Sequence, residues 1–332
     1  MYATEIVMPS EIFNFSGQSK IDTFSLDQLV HELVGYDEMM VNRIRLCLEA
    51  IRVHADTFPY WQRRKRTGRP PIRERTFLIA FLLRQLFDAT FRDTEGLLRL
   101  LDDYFDIDHI PDHTSLVMKN RSRRWMTVWR RFHKYIMSLL PRRKAVIATD
   151  STGLSGRNRS WRETDYAVRA NQDWVKVHAA VEVDSFFILS YSLTKSNVHE
   201  SRMFGEVWSN LPENIVPMRS LADSAYNGER CLRAAKEHGA TLMHGIKRNS
   251  VYRHRPETEY QRMVNFATHW PNRYADMYGK RNHAETAFSM ITRLFGQRLR
   301  CRSRRGRKNE VQAKLSMFNI FLLAKMSANS LG

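Results

Sequence analysis

The chain predicts an α/β fold: a mixed sheet flanked by helices and preceded by a helical N-terminal region. Three observations carry this. Residues 73–140 repeat apolar side chains at helical spacing, residues 144–194 hold short apolar runs and one strictly alternating stretch, and residues 202–246 alternate helix and strand patterns. At 332 residues and 43% hydrophobic, the chain can bury a sizeable core.

The first helix is expected over 38–54, where Ile44, Leu48 and Ile51 share a face. Residues 59–71 interrupt it with Arg63, Arg64, Lys65, Arg66 and Gly68-Arg69-Pro70, a basic linker that fits either a minor-groove hook or a solvated loop. Successive helices follow over Phe77–Phe87, Thr94–Leu101, a segment opened by Asp112–Ser115, and Trp125–Ile136. In the last of these, Trp125, Trp129, Phe132 and Ile136 recur at packing positions, which leaves Arg121, Arg123, Arg124, Arg130, Arg131 and Lys134 for solvent or phosphate.

Ala145–Thr149 is a short apolar run suited to a strand buried on both faces and ending in Asp150. Val175 to Val183 alternate with Trp174 to Glu182, and a turn at Asp184-Ser185 leads into an apolar strand over 186–194, an antiparallel hairpin. A helix over 202–211, a strand over 218–222, a helix over 229–237 closed by Gly239 and a strand over 241–246 follow. Residues 247–277 read as an irregular polar and aromatic insertion before a helix over 281–295; a last helix after 308 is expected to pack on the sheet.

Cys47, Cys231 and Cys301 lie far apart, which excludes a disulfide framework and a cysteine-rich zinc site; among the 12 histidines there is no HExxH pair. The longest apolar run, Phe77–Leu83, is far short of the roughly 18 residues that cross a bilayer. A soluble, cytoplasmic, nucleoid-associated protein with no membrane partner is the expectation. The net charge of +18 and pI near 10.1 make a polyanion the leading partner. Residues 1–40 oppose this trend, with seven acids against one lysine, so the leader is not expected to touch DNA.

Asp150 and Asp223 each end a predicted strand, in ATDSTG and LADSAYNG, where side chains leave the packed sheet without being lost to solvent. Either alone also suits a turn or a helix cap. In Tyr278-x2-Arg281-x3-Glu285, about 100° per residue places hydroxyl, guanidinium and carboxylate on one helical face, a pattern that an ordinary Arg281/Glu285 ion pair also produces.

Together ATDSTG, LADSAYNG and Y-x2-R-x3-E resemble the DDE transposases of bacterial and archaeal insertion sequences, in the group of the IS-four and IS-five elements. The likeness extends to GRPPIRERTFLIAFLLRQLFDATFRDTEGLLRLL and HIPDHTSLVMKNR upstream, and to KVHAAVEVD and SNVHESRMF. It implies a ribonuclease H-like fold in which Asp150, Asp223 and Glu285 hold two divalent ions, Mg2+ or Mn2+. It further implies cutting of the ends of an insertion sequence and joining of their 3′ hydroxyls to target DNA, without a covalent protein intermediate. Double-stranded DNA is then the partner, and a homodimer is expected in the synaptic complex. Competing readings are a metal-dependent nuclease or domesticated recombinase of the same fold, and a non-catalytic DNA-binding relative.

By the same resemblance Tyr278 and Arg281 contact phosphates near the cut end. The family's basic residue seven positions after the glutamate is replaced by Thr292, with Arg293 beside it as the candidate clamp. Arg298, Arg300, Arg302, Arg304 and Arg305, in a basic loop over 298–308, are expected to grip phosphates beside the site. Trp161, Trp174 and Trp270 are candidates for stacking on an unpaired base, Trp270 foremost. His178, His199 and Glu200 are read as structural. The expected division is an acidic leader and first helix over 1–60, a helical, basic DNA-binding region over 61–143, and a catalytic domain over 144–332 with an insertion at about 247–277.

Overall fold

The computed structural model describes residues 40–60, 71–156 and 174–329. The acidic leader up to residue 39, the basic linker with Gly68-Arg69-Pro70, and Trp161 lie outside the described residues. Among the described residues six helices come first: α1 (Arg43–Thr57), α2 (Glu74–Leu86), α3 (Phe91–Leu100), the single turn α4 (Asp102–Phe105), α5 (His113–Asn120) and α6 (Arg123–Ser138). Their starts follow local chemistry. Thr90 and Asp93 form a reciprocal capping box on α3, and Asp112 and Ser122 cap α5 and α6 through Ser115 N and Trp125 N. Trp125, Trp129, Phe132 and Ile136 are all buried, as their spacing predicts.

The sheet comprises β1 (Arg143–Leu154), β2 (Val175–Glu182), β3 (Ile188–Lys195), β4 (Ile215–Ala222) and β5 (Thr241–His244), in the order β3-β2-β1-β4-β5. β1–β2 and β2–β3 are antiparallel, whereas β1–β4 and β4–β5 are parallel. The remaining helices among the described residues are α7 (Glu200–Ser209), α8 (Glu229–Glu237), α9 (Glu259–His269), α10 (Pro271–Gly279), α11 (His283–Phe295) and α12 (Arg304–Asn329). The expected mixed α/β sheet behind a helical region is therefore present.

Four local expectations are corrected. β1 does not end at Asp150 but runs on to Leu154, because Ser151, Thr152 and Gly153 continue the backbone ladder with β2 although their side chains are small or polar. The insertion is largely helical: Thr258 and Gln261 build a capping box on α9, and Pro271 opens α10. The basic loop is helical from Arg304 onward. Lastly, α12 packs chiefly against α1, α2 and α6 and only lightly on β2 and β3. Asn319 makes that sheet contact, pairing with both the N–H and the carbonyl of Ile188.

Helices cover both faces of β2, so every residue of that strand is buried, including Lys176, His178 and Glu182. Glu182 is answered by Arg143. Phe186, held at φ 66 in the hairpin turn, stacks on His283 at 5.3 Å, and His283 Nδ1 lies 2.7 Å from Val183 O. This fixes the start of α11 against the β2–β3 hairpin.

Buried histidines set the acid limit of this core. His133 Nε2 donates to Leu189 O at 3.0 Å and His244 Nε2 meets Ser220 Oγ at 2.9 Å, while each Nδ1 is buried without a partner. Burial holds both rings down at about 4. Between that value and the ordinary one near 6.5, the unfolded chain binds protons that the folded chain refuses, so this stability is complete above about pH 6.5 and lost as pH falls toward 4. The expected loss between pH 7 and about 4.5 is roughly 1–3 kcal/mol per histidine. A urea midpoint that stays constant across this range would refute the assignment.

Candidate active site

The parallel pairing of β1 with β4 stops at Thr149↔Ala222, so Asp150 and Asp223 are the next residue on each of two adjacent strands, where the strands part. Each acid is partly committed to local backbone. One oxygen of Asp150 accepts the Ser151 N–H at 2.8 Å, and one oxygen of Asp223 accepts the Ala225 N–H at 2.8 Å, capping a 3-10 turn over Ser224–Tyr226. Neither carboxylate has another hydrogen bond among the described residues.

Burial, with the charges of Asp223 and Glu200 adding to it, pushes Asp150 up to about 6 against the pull of the Ser151 N–H and Arg281. Burial also raises Asp223, reinforced by Glu200 and opposed by the Ala225 N–H, Arg281 and Lys176. Two acids that resist ionisation side by side favour a cation between them.

Residues alternate across a strand, and Ser151 and Gly153 stand opposite His178 and Lys176 in the register. These four share the face covered by α7, whose Trp208 Nε1 donates to Thr149 Oγ1 at 3.0 Å. Glu200, the first residue of α7, lies 3.1 Å from Lys176 Nζ and accepts the Ser151 hydroxyl at 2.6 Å. Burial pushes Glu200 up, but Ser151 and Lys176 outweigh it and leave this acid below its ordinary range.

Asp150 points to the opposite face. There α11 packs on β1 and β2, and the 3-10 turn Lys280–Asn282 packs on β1 and β4. Tyr278, Arg281 and Glu285 thus do not lie on one uninterrupted α-helix: they occupy the end of α10, the 3-10 turn and the first turn of α11. They still converge. The Arg281 guanidinium acts on both aspartates and lies 3.4 Å from Glu285. Burial raises the Tyr278 phenol, with Arg281 lowering it and Asp223 and Asp150 raising it further, so its hydroxyl lies near the same group.

Gly245 makes this approach possible. A Cβ there would sit 2.8 Å from the Tyr278 hydroxyl and 2.9 Å from Ser224 N, the amide next to Asp223. Gly245→Ala is expected to lower stability by about 1–3 kcal/mol through overpacking. Adding Tyr278→Phe should restore part of the stability. A single variant that melts like the parent would sink this placement.

Among the described residues no three His, Cys, Asp or Glu side chains stand together as a metal site requires; Glu285 is turned onto Arg281. The donor set nonetheless fits a hard divalent cation: each aspartate has one oxygen without a hydrogen bond, and both are held above their ordinary range.

No hydrogen bond or ion pair joins Trp270, Arg293 or the arginines of 298–305 to this group among the described residues. Trp270, 60% exposed, sits at the junction of α9 and α10, and Arg293 is exposed on α11. Arg298 donates to Gly156 O at 3.0 Å beyond the far end of β1, and Arg300 grips Asp88 through two bonds of 2.9 and 3.1 Å. Arg302, Arg304 and Arg305 are exposed. Sequence reasoning missed Lys176 and Gly245. The signal for Lys176 was a cation in a strand rich in valine and alanine, but its partner Glu200 lies on a helix whose docking the sequence does not show; Gly245 had only its place after an apolar strand.

A five-stranded mixed sheet of this order, with acids where its first and fourth strands part, belongs to the ribonuclease H-like class of folds. The family described as Transposase DDE domain matches residues 141–322, more than half of the chain, and the chain belongs to that family. Its function is accordingly of the transposase type, with DNA as the partner and divalent metal as the general requirement of the family. No solved structure matches the chain. Among the described residues no helix is long and apolar enough to cross a membrane.

Proposed function

We propose that this protein cuts DNA at the ends of an insertion sequence of the IS-four and IS-five group and joins the freed 3′ hydroxyls to target DNA. The observation that carries this reading is the placement of Asp150 and Asp223 where the parallel strands β1 and β4 part, under Tyr278 and Arg281. Asp150, Asp223 and Glu285 would hold the metal, with Glu285 released from Arg281. Bound there, two Mg2+ or Mn2+ ions supply activation of the attacking oxygen and charge stabilisation on the leaving one.

The protein's own groups position the DNA. Arg281 offers a planar fork to phosphate oxygens, and the Tyr278 hydroxyl donates to the same phosphate. Arg293 takes the clamping role left open by Thr292, and Trp270 offers an exposed face to an unpaired base. Water as nucleophile gives a nick; a 3′ hydroxyl at the same position gives joining.

The test uses DNA carrying the sequences that flank the gene. Expected are Mg2+-dependent nicks that leave 3′ hydroxyls, no protein–DNA adduct, and joined products when target DNA is added. Nicks anywhere on any duplex, without joining, would favour a nuclease, and absence of cutting would favour a binding-only relative. The end-bound complex is expected to contain two chains; one chain per complex would refute the dimer.

A further inference from the structure

Beyond the far end of β1 two adjoining hollows, of about 270 and 320 Å³, share Phe91, Arg300, Cys301 and Arg302 in their walls. Arg121, which follows α5 in the helical region, also lines the first, and Arg298 the second. Arg121 and Arg302 are exposed, and neither side chain has an ion pair or hydrogen bond among the described residues. The nearby acids are already paired: Asp88 with Arg300 and Glu310 with Arg84, two wall residues whose charge they offset, and Asp93 with the cap of α3, which leaves Arg121 and Arg302 as the unpaired cations of the lining among the described residues.

The backbone adds to this positive field. The N-terminus of α3 opens at Thr90 and Phe91, and that of α12 at Ser303, whose hydroxyl accepts the Gly306 N–H at 3.1 Å. The first turn of α12 carries Arg304, Arg305 and Arg307 and no acid, a charge arrangement that opposes its macrodipole. An anion at this place relieves both. Arg84, which also lines the second hollow, is 2% exposed and its Nε has no hydrogen-bond partner.

We propose that this cleft is a seat for a backbone phosphate of duplex DNA, clamped between Arg121 of the helical region and Arg302 of the segment before α12. The inference rests on the DNA-cutting function proposed above. Its distance from the cut follows from the strand. Leu299 N donates to Ser155 O at 2.8 Å and Arg298 to Gly156 O, so the cleft adjoins residues five and six positions beyond Asp150. At about 3.3 Å per residue this is up to about 20 Å, or about six base pairs of duplex.

The test combines protein variants with DNA in which single phosphates, about three to nine base pairs from the cut bond, are replaced by neutral methylphosphonate. With the parent protein, one or two replacements near the sixth base pair should weaken binding about tenfold. Arg302→Ala and Arg121→Ala should each weaken binding to unmodified DNA, make the salt dependence shallower by about one, and abolish the further effect of those replacements. Thermal melts establish that both variants fold. Unchanged affinity and salt dependence in both, or a methylphosphonate penalty that persists in full, would overturn the seat while parental cutting still stands. A parent that neither binds nor cuts DNA would overturn both proposals.

Discussion

Asp150→Asn is expected to reduce metal-dependent strand cutting by at least about 1000-fold while DNA binding persists, because a charged oxygen that anchors transition-state charge is worth several kcal/mol. The environment of Asp150 makes a second outcome specific. Burial and the neighbouring Asp223 push its carboxyl up to about 6. An acid whose folded value exceeds its unfolded value near 3.9 destabilises the fold where it is ionised; this cost is absent below about pH 4, grows between 4 and 6, and is complete above 6.

Asp150→Asn should therefore melt later than the parent at pH 7.5, by about 1–3 kcal/mol, and like the parent at pH 4. Loss of cutting in a more stable protein cannot be ascribed to misfolding. Cutting within about tenfold of the parent would remove Asp150 from the chemistry.

The second large effect concerns Glu310, far from the candidate metal site. Glu310 is 1% exposed on α12, pairs with Arg84 of α2 at 3.3 Å, and accepts the N–H groups of Arg300 and Cys301 at 2.9 Å each. Glu310→Ala leaves a buried guanidinium without its partner and two backbone donors without acceptors. Breaking such a pair from one side costs about 3–5 kcal/mol.

Replacing both members, Arg84→Met with Glu310→Leu, removes the stranded charge and should recover much of that loss. Denaturant midpoints for the three variants decide the matter; a loss below about 1 kcal/mol in Glu310→Ala would refute a structural role for the pair. The segment before α12 hangs from this pair, so Glu310→Ala should also weaken DNA binding at temperatures where the protein remains folded.

Much of the candidate site's local geometry was legible wherever its signal was local. Asp150 and Asp223 each follow a short apolar run, and Glu285 stands three residues after Asn282 in a pattern shared with Tyr278 and Arg281. The alternation in Val175–Val183 announced a hairpin whose register then proved antiparallel. The capping box Thr258/Gln261 and the helix-opening Pro271 were equally local signals of α9 and α10, obscured by the aromatic and charged residues around them.

Long-range pairings were not legible. Arg300 reads as a free cation in a basic run, yet Asp88, 212 residues earlier, neutralises it. Lys176 stands only as one member of an alternating strand in the sequence, yet Glu200 on α7 receives it in the interior. Charge counts along a chain cannot show which cations are already paired, because pairing depends on distance in the fold.

By itself, the sequence determined the kinds of elements, the two acids that each follow a short apolar run and the strongly basic character, since these follow from side-chain period and composition. Only the tertiary structure decided that β1 outruns Asp150, that Tyr278, Arg281 and Glu285 meet across a 3-10 turn, that Gly245 makes room for Tyr278, and that α12 packs among the N-terminal helices. Each of these depends on how backbone ladders and helix faces meet at long range, and no local pattern of residues encodes that contact.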